Sequence, residues 1–292
     1  MDAVITYVNG MEPKWREQCI AHNRFPDFIQ RFYDYGTLRF VLRGISEHMK
    51  FIDRVFLVVS NIEQVPDYVG DNVIVVTHDM FIPEEYLPTF NSCTIECFLW
   101  NIPGLSEEFI YFNDDMIPTN KLEAEEFFRN GLVCLGYLTG PTNINYYNEL
   151  LRNCNLSASK NYSENEHVDY LRPYHIMIPY LKSDYYNNFK LIEDRLEALK
   201  EKTRSEKQVS QYYFSNCYYY QNKYFDYAPT HYYLHTKHNS EEFITRLNSA
   251  KNKQVICINS YGEFSGKTLK ETIEIIETEL YKILPNKGIY ER

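Results

Sequence analysis

The sequence predicts an α/β fold: a Rossmann-like, mostly parallel sheet followed by a helical carboxyl-terminal portion. Three observations carry this reading. Short β-rich runs recur through the first 139 residues, a helix-period segment separates the first two, and each run stops at polar side chains. Strand, helix, strand is how a parallel sheet begins, because parallel neighbours need a crossover that a helix supplies.

Ala3 to Val8 reads as the first strand, closed by Asn9 and Gly10. From Thr37 to Met49, Leu38, Val41, Leu42 and Ile45 recur at helical spacing. Val55 to Val59 is the second strand and ends in Ser60 and Asn61, and Val73 to Val76 is the third, running into Thr77, His78 and Asp79. A helix near Ser92 to Asn101 precedes the fourth strand, where Ile110, Tyr111 and Phe112 give way to Asn113, Asp114 and Asp115. Open parallel sheets bind ligands beyond the carboxyl ends of their strands, so Asn9, Asp79, Asp114 and Asp115 are expected to converge on one rim. Adjacent carboxylates there suit a divalent cation and, through it, a phosphate. The competing reading is a surface turn, which Asn and Asp also favour.

Gly140 to Tyr170, rich in Asn, Ser and Tyr, is expected to be a long loop or insertion. Helices follow at Tyr185 to Lys202, Gln208 to Tyr220 and Ser265 to Leu284, the last with Leu269, Ile273, Ile276, Leu280 and Leu284 on one stripe. The expected organisation is a Rossmann-like part at 1–139, the loop at 140–170, and a mainly helical part at 171–292 that completes the same active site. The tyrosines from Tyr212 to Tyr227 fall at helical spacing and are read as core rather than as a stacking surface.

At 44% hydrophobic residues, 292 residues can bury a sizeable core. A formal charge of -10 argues against nucleic acid as a partner, so an anionic substrate would need a metal or a local basic cluster. Arg39 and Arg43, four apart on the predicted helix, could clamp a diphosphate through forked hydrogen bonds or simply line a solvated face. Apolar runs such as Val55 to Val59 are too short to span a bilayer, and Asp2, Thr6 and Asn9 interrupt any signal peptide. Seven scattered cysteines are read as reduced thiols of a cytosolic protein. Cys93 and Cys97 share a helical spacing but lack the further ligands of a zinc site.

Asp2 to Gly10, with Pro13 and Trp15, resembles the first block of the Stealth family of sugar-1-phosphate transferases. That family includes bacterial capsular polysaccharide phosphotransferases and the animal enzyme that tags lysosomal hydrolases with N-acetylglucosamine phosphate. The second block is matched by Arg31, Phe32, Asp34, Gly36, Leu38, Arg39, Leu42, Arg43 and Ile45. It continues through Leu87 to Ser92, Ile95 and Glu96 to Ile102, Pro103, Gly104, Leu105 and Ser106, and ends in Asn113, Asp114 and Asp115. The third block is similar around His175, Pro179, Lys182, Ser183, Arg204, Ser205 and Val209, and the fourth at Cys257, Ile258 and Asn259 with Leu284, Pro285 and Glu291. Asn9 stands where the family often has Asp, Ser260 where it usually has Asp, and Met177 where a proline is common.

The resemblance implies transfer of a hexose-1-phosphate from a nucleotide diphosphate sugar, a UDP-HexNAc, to a glycan hydroxyl, forming a phosphodiester and releasing UMP. It implies Mg²⁺ or Mn²⁺ held by Asp114 and Asp115. Asp115, His175 and Arg204 are the catalytic candidates, with His175 as base or nucleophile and Arg204 at the phosphoryl oxygens. Without the motif, His175 reads as a hydrogen-bonded structural histidine. Donor contacts are expected from Asn9, Arg39, Arg43, Asn91 and Asn259. The expected place is the cytoplasm, peripheral to the inner face of the membrane beside capsule machinery. Two alternatives use the same residues: a metal-dependent glycosyltransferase releasing UDP, and a non-catalytic nucleotide-sugar or glycan-binding protein.

Overall fold

The computed structural model describes residues 1–22, 29–139, 146–163, 170–236, 239–259 and 262–292. From the amino end come β1 (Asp2–Thr6), α1 (Pro13–Ala21), α2 (Thr37–His48), β2 (Arg54–Val59) and β3 (Val73–Thr77), then α3 (Ser92–Cys97), β4 (Glu108–Asn113) and β5 (Met116–Pro118). The middle holds β6 (Phe128–Arg129), β7 (Leu132–Leu135), β8 (Tyr137–Thr139), α4 (Tyr146–Tyr162), β9 (Leu171–Pro173), β10 (Ile178–Leu181), α5 (Lys182–Phe189), α6 (Gln211–Gln221) and β11 (Tyr224–Asp226). Then follow β12 (His231–His235), α7 (Ser240–Ser249), β13 (Val255–Asn259) and α8 (Leu269–Ile283). The chain forms two units interleaved in sequence, one of Met1–Val76, Tyr111–Ala124 and Pro229–Arg292, the other of Thr77–Ile110 and Glu125–Ala228.

In the first unit the strand order is β4, of which Tyr111–Asn113 belong to this unit, then β1, β2, β3. β1 lies parallel to β2, from Asp2 opposite Arg54 to Thr6 opposite Val58. Ala3, Val4 and Ile5, and Val55 through Val59, are buried on both faces, which explains why they read as unbroken apolar runs. The crossover helix α2 starts after Gly36, whose φ of 75° favours glycine, and it buries Leu38, Phe40, Val41, Leu42 and Ile45. At Gly44 an added Cβ would lie 2.3 Å from the Pro118 carbonyl oxygen, so the backbone of β5 presses directly on α2.

β5 belongs to a second small sheet of this unit, in the order β12, β13, β5. β13 runs parallel to β12 and antiparallel to β5, with Cys257 opposite Met116. The chain therefore leaves one sheet at Asn113 and enters the other at Met116, with only Asp114 and Asp115 between. α8 opens on a capping box in which Thr268 and Glu271 each accept from the other's backbone.

Arg43 is neither a solvated surface residue nor open to a ligand. Its Nε and Nη2 donate to the two Glu291 carboxylate oxygens at 2.8 and 3.1 Å, and Nη1 donates to the carbonyls of Leu284 and Pro285. Glu291 also accepts from Gly288 N at 2.9 Å. This forked pair ties the segment after α8 to the crossover helix.

In the second unit β7 pairs with β11 in parallel and with β6 in antiparallel fashion, while β8 pairs antiparallel with β9. Within this unit Lys182 N, just after β10 (Ile178–Leu181), donates to Glu107 O at 2.8 Å. α6 is the core element: every residue from Gln211 to Tyr218 is buried. Tyr185 stacks on Phe214 with centroids 3.8 Å apart, and Tyr180 meets Tyr185 edge-on. From Tyr212 to Tyr218 the aromatic run is thus core packing, as its spacing predicted, whereas Tyr219, Tyr220, Tyr224 and Tyr227 are half-buried and Tyr224 opens β11.

Two expectations are corrected here. The stretch 140–170 is not simply a loop, because it contains α4, which buries Leu150, Leu151, Cys154 and Ala158 at helical spacing. α4 packs on α6 partly through polar contacts, Tyr220 Oη to Asn155 Oδ1 at 2.8 Å and Asn161 Nδ2 to Tyr213 Oη at 2.9 Å. Its polar composition concealed the helix. The helix expected from Tyr185 to Lys202 is shorter, giving way after Phe189 to two 3₁₀ turns, and the carboxyl-terminal half also contributes five strands. All seven cysteines are buried thiols rather than disulfides. Among the described residues no helix is long and apolar enough to cross a membrane.

The Arg43–Glu291 pair yields a stability prediction. Its side chains are 7% and 4% exposed, so Glu291→Ala leaves a buried guanidinium without its counter-charge and should lower unfolding stability by about 3–5 kcal/mol. Urea unfolding measures this. A loss below about 0.5 kcal/mol would place the pair among surface ion pairs that contribute little.

Candidate active site

The paired acids sit in a tight turn that joins two sheets, so the site and turn readings describe the same two residues. On the β4 side, Thr6 Oγ1 is 3.0 Å from Tyr111 Oη, which donates to Asn113 Oδ1 at 2.8 Å. On the β5 side, Ile258 N donates to the Asp115 carbonyl at 3.0 Å and Cys257 Sγ donates to Asp115 Oδ2 at 3.4 Å. The turn is thus pinned by side chains from one sheet and by the ladder of the other.

Its electrostatics are those of acids kept short of water. Loss of hydration pushes the Asp115 carboxyl up to about 6, with the Cys257 hydrogen bond pulling the other way. Asp114 is raised well above the usual carboxylate range, first by burial, then by the charge of Asp115, then by that of Asp34. Asp115 Oδ1 is buried and, among the described residues, has no hydrogen-bond partner. Two dehydrated carboxyls, one raised further by the charge of the other, with an acceptor oxygen left over, form a donor set that fits a hard divalent cation.

Asp34 was not singled out as a site residue from sequence. Its Oδ2 accepts from Tyr7 Oη at 2.7 Å, and its Oδ1 accepts from Gly36 N at 2.8 Å, just before α2. The charge of Asp34 contributes to raising Asp114, a link between residues 80 positions apart that the sequence does not display. Tyr68 has a buried hydroxyl without a hydrogen-bond partner among the described residues, raised first by burial and further by the charges of Asp34 and Asp114, with Arg39 opposing. Arg39 stacks over the Tyr68 ring at 4.3 Å and donates through Nη1 to Tyr281 Oη.

The predicted donor residues separate. Arg39 stacks on Tyr68, whereas Arg43 is held by Glu291. Asn9 is fixed by buried Gln64, which accepts from its backbone N at 2.6 Å and donates to its carbonyl at 3.0 Å, while Asn9 Oδ1 accepts from Met11 N. Asn259 ends β13 opposite His235, and the following Ser260 lies outside the described residues. Of the four residues expected on one rim, Asn9, Asp114 and Asp115 belong to the first unit and Asp79 to the second.

His175, Arg204 and Asn91 belong to the second unit. His175 Nδ1 is 3.0 Å from Tyr212 Oη. Burial, followed by the charges of Arg172 and Arg204, lowers the imidazole to about 3. Arg204 Nη2 donates to Ser92 Oγ, at the start of α3. Asn91 is wholly buried: its Oδ1 caps α3 by accepting from Cys93 N at 3.1 Å, and its Nδ2 donates to Glu201 O at 3.2 Å. The side chain expected to contact donor thus builds the helix start that carries Ser92.

The His175 shift predicts a pH dependence of stability. Its folded pKa lies below the value of about 6.5 for an unfolded chain, so between about 3 and about 6.5 the unfolded state binds more protons. Stability should fall as pH falls through that window. Urea unfolding at pH 7.5 and 5 should show a smaller acid loss in His175→Gln than in the parent. Equal losses would mean that the folded imidazole titrates normally.

Residues 31–134 match the family model described as Stealth protein CR2, conserved region 2. The resemblance read from the second block is thereby borne out. Over 150 residues the chain is 35% identical to a capsular polysaccharide phosphotransferase of Actinobacillus suis, a match covering 46% of this chain and 40% of that protein. It is 35% identical over 133 residues to the exopolysaccharide phosphotransferase cps2G of Lactiplantibacillus plantarum, covering 44% and 39%. The chain thus spans well under half the length of these curated relatives. The galactosyltransferase LgtC, solved in complex with donor and acceptor sugar analogues, aligns over 95% of this chain and 96% of its own with a TM-score of 0.47 and 10% identity.

Proposed function

Because this chain carries the second conserved region of the Stealth proteins, we propose that it is a capsule-type sugar-1-phosphate transferase. It would move a hexose-1-phosphate from a UDP-sugar, a UDP-HexNAc, to a glycan hydroxyl. The observation that supports this most is the Asp114–Asp115 turn, which lies inside the matched region and presents a carboxylate oxygen without a hydrogen-bond partner among the described residues.

Asp114 and Asp115 would hold Mg²⁺ or Mn²⁺, which when bound neutralises diphosphate charge. The acceptor oxygen attacks the β-phosphorus, the bond from that phosphorus to the α-phosphate oxygen breaks, and UMP leaves. The acceptor proton goes to His175, whose lowered pKa leaves it unprotonated at neutral pH. A nucleophilic His175 needs the same protonation state. Arg204 keeps a fixed positive charge for the phosphoryl oxygens. Action at the inner face of a membrane, beside other capsule proteins, belongs to the same proposal.

The bond that breaks decides the reaction class. Incubation with a UDP-HexNAc, a glycan acceptor and Mn²⁺ should release UMP and give a phosphodiester signal in the phosphorus NMR spectrum. UDP as the only nucleotide released, with no phosphodiester, would reassign the protein as a glycosyltransferase. Donor binding without turnover would leave a binding protein.

The acids make a second prediction. Asp115→Asn should abolish turnover while the fold and melting temperature are retained, and chelation of the parent should have the same effect. Direct Mn²⁺ titration followed by electron paramagnetic resonance should show binding lost in the variant. Full activity of Asp115→Asn in excess chelator would reduce the pair to a structural turn.

A further inference from the structure

We infer that Tyr212 is a positioning residue of the reaction: its hydroxyl accepts from Nδ1–H of His175, which leaves Nε2 as the ring atom that receives the acceptor proton. The inference rests on the transferase reading and deepens it from a residue to an atom. Both side chains lie in the second unit.

The hydroxyl is carried by a backbone with little freedom. Ser210 caps α6 by accepting from Tyr212 N at 3.3 Å, Gln211 N donates to Glu96 Oε2 at 2.9 Å, and Tyr213 N donates to Ser210 O at 2.9 Å. The N–H groups that a helix start would leave unsatisfied are thus taken up here. Each residue of this first turn is buried, and the Arg172 guanidinium of β9 lies over the Tyr212 ring, with Cζ 5.9 Å from its centroid.

His175 is fixed from its own side. Tyr174 N donates to Gly136 O and Ile176 N to Tyr174 O, each at 3.0 Å, so hydrogen bonds bracket the histidine in the turn after β9. An added Cβ at Gly136 would lie 2.5 Å from the Tyr174 ring, so this turn is pressed against the backbone between β7 and β8. Two anchored segments therefore hold His175 Nδ1 and Tyr212 Oη at 3.0 Å.

The direction of that bond decides what the imidazole can do. A neutral ring has one N–H and one lone pair, and the neighbour of one nitrogen sets the state of the other. Burial keeps the His175 ring neutral at pH 7. A phenol that donated to Nδ1 would put the ring proton on Nε2, and neither nitrogen could then take another without breaking the contact. A phenol that accepts leaves the lone pair on Nε2, directed away from Tyr212 because the bonds of the two nitrogens diverge across the ring. Only the second arrangement serves the proposed step. There the acceptor O–H breaks as its oxygen bonds to the β-phosphorus, the proton goes to Nε2, and the electron pair of the bond to the α-phosphate oxygen leaves with UMP. Nδ1–H stays on Tyr212 throughout and supports the imidazolium as it forms.

The tautomer is read apart from turnover by ¹⁵N NMR of the histidine-labelled full chain, without donor, at pH 7.5. Resonances missing from His175→Gln identify the ring. The parent should carry the proton on Nδ1, and Tyr212→Phe should move the ring toward the Nε2–H form that an unconstrained histidine favours. Tyr212→Phe should also lower kcat at least about tenfold, part of the roughly hundredfold or more that a general base supplies, with donor affinity kept within about twofold. A lowered melting temperature with tautomer and kcat unchanged would make the contact structural and overturn the inference. So would a proton on Nε2 in the parent, a result that needs no variant to fold, and UMP and phosphodiester still formed by that protein would leave the proposed function standing. A Tyr212-dependent Nδ1–H form in a chain that transfers no sugar phosphate would support the tautomer assignment and defeat the proposed function.

Discussion

Two like-charged carboxylates held in a two-residue turn where hydration is withdrawn are the constraint on which the first unit depends. Left alone, such a pair would protonate or swing toward water. Here the chain cannot move, because Asn113 ends a strand of one sheet and Met116 begins a strand of another. β5 is held in turn by α2, whose Gly44 admits the Pro118 carbonyl, and by β13, whose Ile258 N continues the ladder onto Asp115. The rigidity of two sheets and one helix is what keeps the acids together.

Arg39 and Arg43 show how one helix divides its duties. They share a spacing, but Arg43 is enclosed and matched by a forked carboxylate, while Arg39 remains partly exposed and stacks on Tyr68. Burial, rather than spacing, separates the two guanidinium groups.

The parallel strands and the paired acids were legible because buried β-runs are continuous and stop sharply at polar residues. α8 was legible from its stripe, of which Ile276, Leu280 and Leu284 are fully buried. α4 was not, because polar residues occupy its packed face, where Asn155 and Asn161 bond to tyrosines of α6. Nor could the sequence show that the first unit is assembled from three separate stretches. Asp34 appeared only as one residue of a family block, since its contacts to Tyr7 Oη and Gly36 N come from the fold. Asn91 looked like a donor contact and instead caps α3.

The most direct test of phosphoryl transfer follows the oxygen between the sugar and the β-phosphorus. A UDP-HexNAc labelled with ¹⁸O in that bridge should deliver the label, with the anomeric configuration unchanged, to the phosphodiester product. Recovery of the label in the released nucleotide would mean that the carbon–oxygen bond was cut and would contradict the account.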